Sequence, residues 1–168
     1  MEYQVTAAGP EDADQLAAVH VQGWREAYGH LLPERFYDHA ARTARQALWQ
    51  RTLADPVRRD QVRIGRLEHE TGYETAGFAM AGPSREDADH PPSREEQLFA
   101  LYIRAAHYGT GLGALLLEAV LGDRPGLLWV ARDNPRARRF YEKHGFRAAG
   151  AELTDPRLEG ITEIRMVR

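Results

Sequence analysis

Three glycines at alternate positions form the segment of this chain that is best suited to hold a ligand. Gly109, Gly111 and Gly113 follow an apolar, strand-like stretch and precede residues with the apolar spacing of a helix. Glycine lets a ligand approach the backbone closely, and the N-terminus of a helix offers free N–H groups with partial positive charge. The segment is therefore a candidate phosphate-binding loop, with an ordinary strand-to-helix turn as the alternative.

Two common nucleotide-binding motifs do not match this glycine loop. The P-loop motif requires a lysine and then a serine or threonine after its last glycine, whereas Ala114 and Leu115 follow here. The dinucleotide fingerprint has the spacing G-x-G-x-x-G and an acidic residue about 20 positions on, whereas this loop reads G-x-G-x-G. Leu128, Trp129 and Val130 occupy the place of that acidic residue.

A second stretch, residues 134–146, combines an amide, a tyrosine and a glycine. Asn134 precedes a proline, an arrangement typical of the first turn of a helix that the asparagine side chain caps. Tyr141 lies seven residues further on, which is about two helical turns and nearly the same face. Gly145 then suits the end of that helix. A half-buried aromatic residue of the core is the alternative role for Tyr141.

Together the two stretches resemble the GNAT superfamily of N-acetyltransferases. The signature of that family, Q/R-x-x-G-x-G/A, also follows a strand and opens a helix, and it corresponds here to residues 108–113. Tyr108 stands where Gln or Arg is usual, and Ala105 stands where proline is frequent. Residues 134–146 are similar to the family pattern N-x-x-A-x-x-x-Y-x-x-x-G-F.

The resemblance implies acetyl-CoA as the cofactor, with its pyrophosphate on the glycine loop and its pantetheine near Asn134. It also implies that the Tyr141 hydroxyl protonates the leaving thiolate, which suits a phenol with an ordinary pKa near 10. The backbone N–H of Ile103 would polarise the thioester carbonyl. The cofactor-binding residues that follow from the resemblance are Leu101, Tyr102, Ile103, Tyr108, Gly109, Thr110, Gly111, Leu112, Gly113, Ala114, Asn134, Ala137, Arg138 and Tyr141.

The acceptor side is predicted from the N-terminal helix and from the acidic residues. Trp24 and Tyr28 are four residues apart on one helix face, and the resemblance makes them candidates for acceptor binding, with core packing as the alternative. An ammonium must lose a proton before it attacks a thioester, so a base or a water chain is needed. Glu96 is the candidate base and Glu26 a second one, although Glu96 also fits a solvated carboxylate at a loop end.

Cysteine is absent from the sequence, which excludes disulfides, thiolate metal sites and an acetyl-cysteine intermediate. Direct transfer within a ternary complex is therefore favoured. The seven histidines show neither H-x-H nor H-E-x-x-H spacing, so we predict no metal site. No G-x-S-x-G elbow is present either.

Strands and helices are mixed along the chain, with antiparallel hairpins in the first half and a strand–helix–strand–helix unit in the second. Apolar alternation predicts strands over residues 3–7, 61–67, 75–81, 97–103, 127–131, 146–152 and 162–167. Helices are predicted from Pro10, after Pro33, after the glycine loop, and over residues 134–144, while residues 82–96 form an exposed connection. We expect one α+β domain over residues 1–168, with the mostly antiparallel, twisted GNAT-like sheet of about six to seven strands and about four helices.

The composition and net charge of the chain limit the classes of partner that it is expected to bind. The chain has 168 residues, a net charge of −3 and a pI of about 6.2, which argues against a general nucleic-acid binder. The sequence contains no secretory-type N-terminus and no apolar run long enough for a membrane span, so a cytoplasmic protein without a membrane partner is predicted. Between Arg132 and Arg147 the sequence has six basic residues and only two acidic ones. The family resemblance implies that this basic stretch lies near the nucleotide of coenzyme A, and a solvated helix face is the alternative.

These observations favour an N-acetyltransferase that moves the acetyl group of acetyl-CoA to a primary amine of a small molecule or peptide. A non-catalytic acyl-CoA-binding or sensing module with the same fold is the alternative, and nucleotide-phosphate binding by the glycine loop is a third, less favoured one. The resemblance also implies a homodimer, with the last two strands as its candidate seam.

Overall fold

The computed structural model describes residues 2–70, 72–85, 89–156 and 158–168. Within these ranges the chain forms seven strands and five α-helices. In chain order they are β1 (Tyr3–Ala7), α1 (Ala13–Tyr28), α2 (His39–Ala54), α3 (Pro56–Asp60), β2 (Val62–His69), β3 (Gly72–Pro83), β4 (Glu96–Ile103), α4 (Leu112–Leu121), β5 (Gly126–Ala131), α5 (Pro135–Lys143), β6 (Arg147–Thr154) and β7 (Thr162–Val167).

One sheet holds the strands in the order β1-β2-β3-β4-β5-β7-β6. Every neighbouring pair is antiparallel except β4 and β5. The predicted α+β class and mostly antiparallel sheet are confirmed. The predicted connection over residues 82–96 joins β3 to β4, and residues 86–88 within it lie outside the described residues. No helix in the described ranges is long and apolar enough to cross a bilayer.

Helices cover both faces of the sheet, and each face has its own core. Leu16, Leu53 and Phe78 are fully buried in the core beneath α1 and α2. Leu116 and Phe146 are fully buried in the core beneath α4 and α5. Burying a side chain of this size contributes about 1.5–3 kcal/mol, so both layers hold the sheet firmly.

Capping side chains mark the beginning of two predicted helical segments. The first segment begins at Pro10 as predicted, with a 3-10 turn over residues 10–12 in which the Asp12 carboxylate accepts the Gly9 N–H at 2.8 Å, and α1 continues it from Ala13. The second helix begins at His39 rather than after Pro33, because the Asp38 carboxylate accepts the Ala41 N–H at 2.9 Å. The short helix α3 was not predicted.

The sheet opens between β4 and β5. These strands pair only from Glu96 to Leu98, although β4 continues to Ile103 and β5 to Ala131. On its other side, β4 continues to pair with β3 up to Ile103, opposite Gly77. The two parallel strands therefore diverge and leave one edge of β4 without a strand partner.

A bulge at Phe99 sets which side chains of β4 face each core. Leu98 pairs with Ala81 and the next pair joins Ala100 to Met80, so Phe99 is the extra residue. As a result Leu98 and Leu101 both pack toward α4, while Tyr102 packs toward α1. A strand without this bulge would place Leu98 and Leu101 on opposite faces.

Candidate active site

A cavity of about 400 Å³ lies where β4 and β5 diverge. Its walls come from α1, β4, the glycine loop, β5, α5 and β7. Most residues predicted to bind the cofactor meet here: Leu101, Tyr102, Ile103, Tyr108, Gly109, Gly111, Gly113, Ala114, Asn134, Ala137 and Tyr141 all line it. The predicted acceptor residue Tyr28 lines it as well.

The glycine loop presents open backbone to this cavity. Gly109 and Gly111 have φ angles of +75° and +92°, and a Cβ atom at either position would meet nothing within 4 Å. Gly111 is the residue immediately before α4, whose N-terminus has no side-chain cap. Among the described residues, no protein acceptor takes the N–H groups of Gly111 or Leu112. The loop therefore has the free donors and the space that a phosphate requires.

The free edge of β4 adds further hydrogen-bonding groups. The Arg104 N–H donates to the Ala76 carbonyl at 2.9 Å, so Arg104 and Ala76 form a hydrogen-bonded pair. Because hydrogen-bonded and non-hydrogen-bonded pairs alternate along an antiparallel ladder, the N–H groups of Ile103 and Leu101 point away from β3. They face the gap toward β5, where an extended ligand can pair with them.

Tyr108, the main departure from the family signature, is joined to a cation from α5. The Arg136 guanidinium lies 3.8 Å from the centre of the Tyr108 ring, and its Nη2 donates to the Tyr108 hydroxyl at 3.0 Å. Burial raises the pKa of Tyr108, and Arg136 opposes that rise. A guanidinium therefore lies beside position 108, where the family signature has Gln or Arg, but it comes from α5.

Two contacts hold the loop in position. The Ala105 N–H donates to the Glu26 carboxylate at 2.7 Å, and Gln22 donates to the other Glu26 oxygen at 2.9 Å. His107 is buried and shares a hydrogen bond of 2.9 Å with the Tyr3 hydroxyl. Glu26, our second candidate base, does not line the cavity and is already engaged by the loop.

Tyr141 lies on α5 and is buried, with only 8% of its surface exposed. Its ring meets Phe140 edge-on at 5.3 Å and Phe146 at 5.8 Å. Burial raises the pKa of its hydroxyl, and the nearby Tyr28 hydroxyl raises it further. Tyr141 therefore keeps its proton throughout the neutral range, so the cavity holds a protonated hydroxyl that can act as a proton donor.

Asn134 and Tyr28 meet at the other end of α5. The side-chain Oδ1 of Asn134 accepts the Ala137 N–H at 3.1 Å, which confirms the predicted helix cap. Burial raises the pKa of Tyr28, whereas the neighbouring Asn134 side chain lowers it. Trp24 lies beside Tyr28 at 5.5 Å and stacks near Phe36 at 6.5 Å, but it does not line the cavity.

Four other predicted residues also lie outside the cavity lining. Glu96 begins β4 between Pro83 and Gly126, before the strands diverge. Arg138 donates to the Arg132 carbonyl at 3.3 Å, whereas Arg136 and Lys143 of the same basic stretch do line the cavity. The remaining two are Thr110, which donates to the His107 carbonyl, and Leu112, whose side chain is buried in the core.

Glu163 lines the cavity and was missed by the sequence analysis. It lies on β7 and is an electrostatic neighbour of Tyr28 and Tyr102. Burial raises the pKa of its carboxyl, and nearby Asp155 adds to the rise. Ile164 and Met166 are apolar and two residues apart, so they share one face of the strand. This pattern could have indicated that Glu163 lies on the opposite face. Nothing in the sequence indicated that β7 lies beside β5.

Comparisons with known proteins agree with this geometry. The family model of the acetyltransferase (GNAT) domain matches residues 64–148. A protein of Mycobacterium tuberculosis named "Probable N-acetyltransferase" is 30% identical over 162 residues, which are 94% of this chain and 87% of that protein. Among solved structures, the PaiA N-acetyltransferase of Thermoplasma acidophilum in complex with coenzyme A superposes with a TM-score of 0.68 at 16% identity, over 98% of each chain. Ard1 of Thermoplasma volcanium gives a TM-score of 0.67 at 17% identity, over 100% of this chain and 97% of that one.

The fold and the matched sequence define an acyltransferase that uses a coenzyme A thioester. The chain belongs to the GNAT acetyltransferase family, and acetyl-CoA is its cofactor. The distant structures add evidence for the fold alone.

Proposed function

We propose that this protein transfers the acetyl group of acetyl-CoA to a primary amine of a small molecule or a peptide. The attack is direct, within a ternary complex. The observation that carries this proposal is the cavity itself, in which a phenol on α5 lies near the free edge of β4 and the open glycine loop. We also propose that residues 1–168 act as one domain. The homodimer and the cytoplasmic location stay predictions.

The residues of the cavity fit the parts of acetyl-CoA. The open N–H groups at Gly111 and Leu112 would hold the pyrophosphate, and Arg136 would add positive charge beside them. The unpaired edge of β4 would hold the pantetheine, with the Ile103 N–H directed at the thioester carbonyl. The bound cofactor supplies the activated acetyl group.

The reaction requires three proton movements. The acceptor ammonium first loses a proton, and its nitrogen then attacks the thioester carbon while the bond from carbon to sulfur breaks. Tyr141 gives its proton to the departing sulfur, and the second nitrogen proton restores the phenol. Glu96 is the base that the sequence predicts. Because it lies outside the cavity lining, a proton from the acceptor would reach Glu96 only through water.

A thiol-release assay tests this proposal. Purified protein is mixed with acetyl-CoA and a panel of primary amines, and free thiol is measured with a thiol reagent. We expect release with at least one amine. Tyr141→Phe should lower kcat about 10²–10⁴-fold, the usual contribution of a general acid. Tyr73→Phe is the matched control, because Tyr73 is 54% exposed on β3. Binding of acetyl-CoA without release on any amine would instead support the non-catalytic module.

A further inference from the structure

Glu163 is the carboxylate of this cavity to which the family signatures assign no role. It pairs with Ala131 across β5 and β7, beside the point where β5 has parted from β4. Ile164 and Met166 of the same strand enter the core beneath α4 and α5. The side chain of Glu163 therefore lies on the opposite face, where α1 carries Tyr28 and β4 carries Tyr102.

No cation neutralises this carboxylate within the described residues. The cations nearest to it in the sheet have other partners: Arg165 donates to the Pro91 carbonyl at 3.0 Å, and Arg132 pairs with Glu152 at 3.6 Å. Arg136 from α5 is engaged by Tyr108. The described groups that interact electrostatically with Glu163 are instead an acid, Asp155, and the hydroxyls of Tyr28 and Tyr102. Lys143, His107 and His144 also line the cavity but are not among these neighbours.

A half-buried carboxylate without a cation is costly, and a cationic ligand would remove that cost. Three tyrosines (Tyr28, Tyr102 and Tyr141) share the cavity with Glu163 and can also hold an ammonium, through their hydroxyl groups and ring faces. Within the described residues, the acceptor face of the cavity therefore combines the Glu163 carboxylate, which has no cationic partner there, with an aromatic wall. This is the chemistry that recognises a protonated primary amine.

We propose that Glu163 binds the ammonium group of the acceptor and removes its proton. This inference rests on the proposed acetyl transfer and narrows its acceptor to an amine that is a cation in neutral solution. One ammonium proton passes to the Glu163 carboxylate, and the neutral nitrogen then attacks the thioester carbon. The sulfur takes the proton of Tyr141, the second nitrogen proton restores Tyr141, and Glu163 releases its proton to water. Glu163 and Tyr141 thus act on the nitrogen and the sulfur separately.

The test compares Glu163→Gln with the wild-type full-length chain. Butylamine, tyramine and 1,4-diaminobutane serve as acceptors, and butanol serves as the uncharged analogue of butylamine. We expect Glu163→Gln to raise the KM for the active amine at least tenfold and to lower kcat about 10²–10⁴-fold. In Glu163→Gln the decrease of kcat/KM toward low pH (the acid limb of the profile), which reports protonation of the base, should disappear. The Kd for acetyl-CoA, measured by calorimetry, should stay within twofold, and butanol should not inhibit either protein.

Three further variants separate the competing explanations. Glu68→Gln, at an exposed position of strand β2 and outside the cavity lining, is the matched control and should leave all constants unchanged. Glu163→Asp keeps the charge and should retain the acid limb with reduced kcat, which distinguishes proton transfer from loss of packing. If Glu163→Gln keeps the acid limb and Glu96→Gln loses it, Glu96 is the base and our assignment is wrong. If the wild-type protein releases no thiol with any amine, the proposed function fails as well.

Discussion

The glycine loop allows a comparison in which two variants carry the same backbone strain and only one of them touches the cavity. Gly109 and Gly150 both have a φ of +75°, and a Cβ atom at either position would meet nothing within 4 Å. Gly109 lines the cavity, whereas Gly150 lies on β6 at the edge of the sheet. An alanine in the left-handed region costs about 1–2 kcal/mol, and neither methyl group causes a clash. Gly109→Ala and Gly150→Ala should therefore each lower Tm by about 2–8 °C.

Binding of acetyl-CoA should separate the two variants. A methyl group at Gly109 would occupy the space over the loop and turn one N–H away from the pyrophosphate. A hydrogen bond to a charged group contributes about 1.5–3 kcal/mol, so we expect roughly a 10- to 150-fold higher Kd. Gly150→Ala should leave Kd unchanged. Calorimetric titration with acetyl-CoA, alongside thermal unfolding, measures both quantities. Equal Kd values for the two variants would show that the loop does not hold the cofactor.

Three more predictions concern the cofactor, the response to pH and the fold. Arg136→Gln should raise the Kd for acetyl-CoA about tenfold at low salt and less at high salt, whereas Arg139→Gln, exposed on α5, should change it little. Burial, with help from Arg45, lowers the pKa of His20 to about 3. Below pH 6.5 the unfolded chain therefore binds a proton at His20, whereas the folded chain does not. The free energy of unfolding should then fall by about 1.4 kcal/mol for each pH unit below 6.5. Urea unfolding at pH 7.5 and 5 should show a loss of about 2 kcal/mol that His20→Gln abolishes. Asp12→Asn breaks a buried ion pair of 2.6 Å with Arg66 and should cost about 3 kcal/mol in the same assay.

The parts of the fold that the sequence predicted well are those whose signal is local. The strands β1 and β7 begin and end at the predicted residues, because alternation and flanking polar residues suffice to bound them. The start of α2 failed because Asp38 competes with Pro33 as a helix signal, and only the Asp38 side chain makes the cap. Short helices such as α3 have no apolar period to detect.

The site residues that belong to a continuous sequence motif could be predicted. The site residues that depend on how distant strands pair could not. Gly109, Gly111, Asn134 and Tyr141 lie in two short stretches, and all four line one cavity. Glu163 belongs to neither stretch. Its place follows from the pairing of β5 with β7 and from the divergence of β4 and β5, which are long-range properties that no local pattern reports.

Two irregularities of one strand create the conditions for the proposed chemistry. The end of pairing at Leu98 opens the sheet, so that the hydroxyl of Tyr141, a residue of the core on the α5 side, comes close to Tyr28 and Tyr102. The bulge at Phe99 turns Tyr102 toward α1, on the face that also carries Glu163. The Tyr141 hydroxyl and the Glu163 carboxylate therefore reach one cavity from opposite faces of the sheet. A regular β4 fully paired with β5 would separate them by a closed sheet, and the thioester could not be reached from both sides.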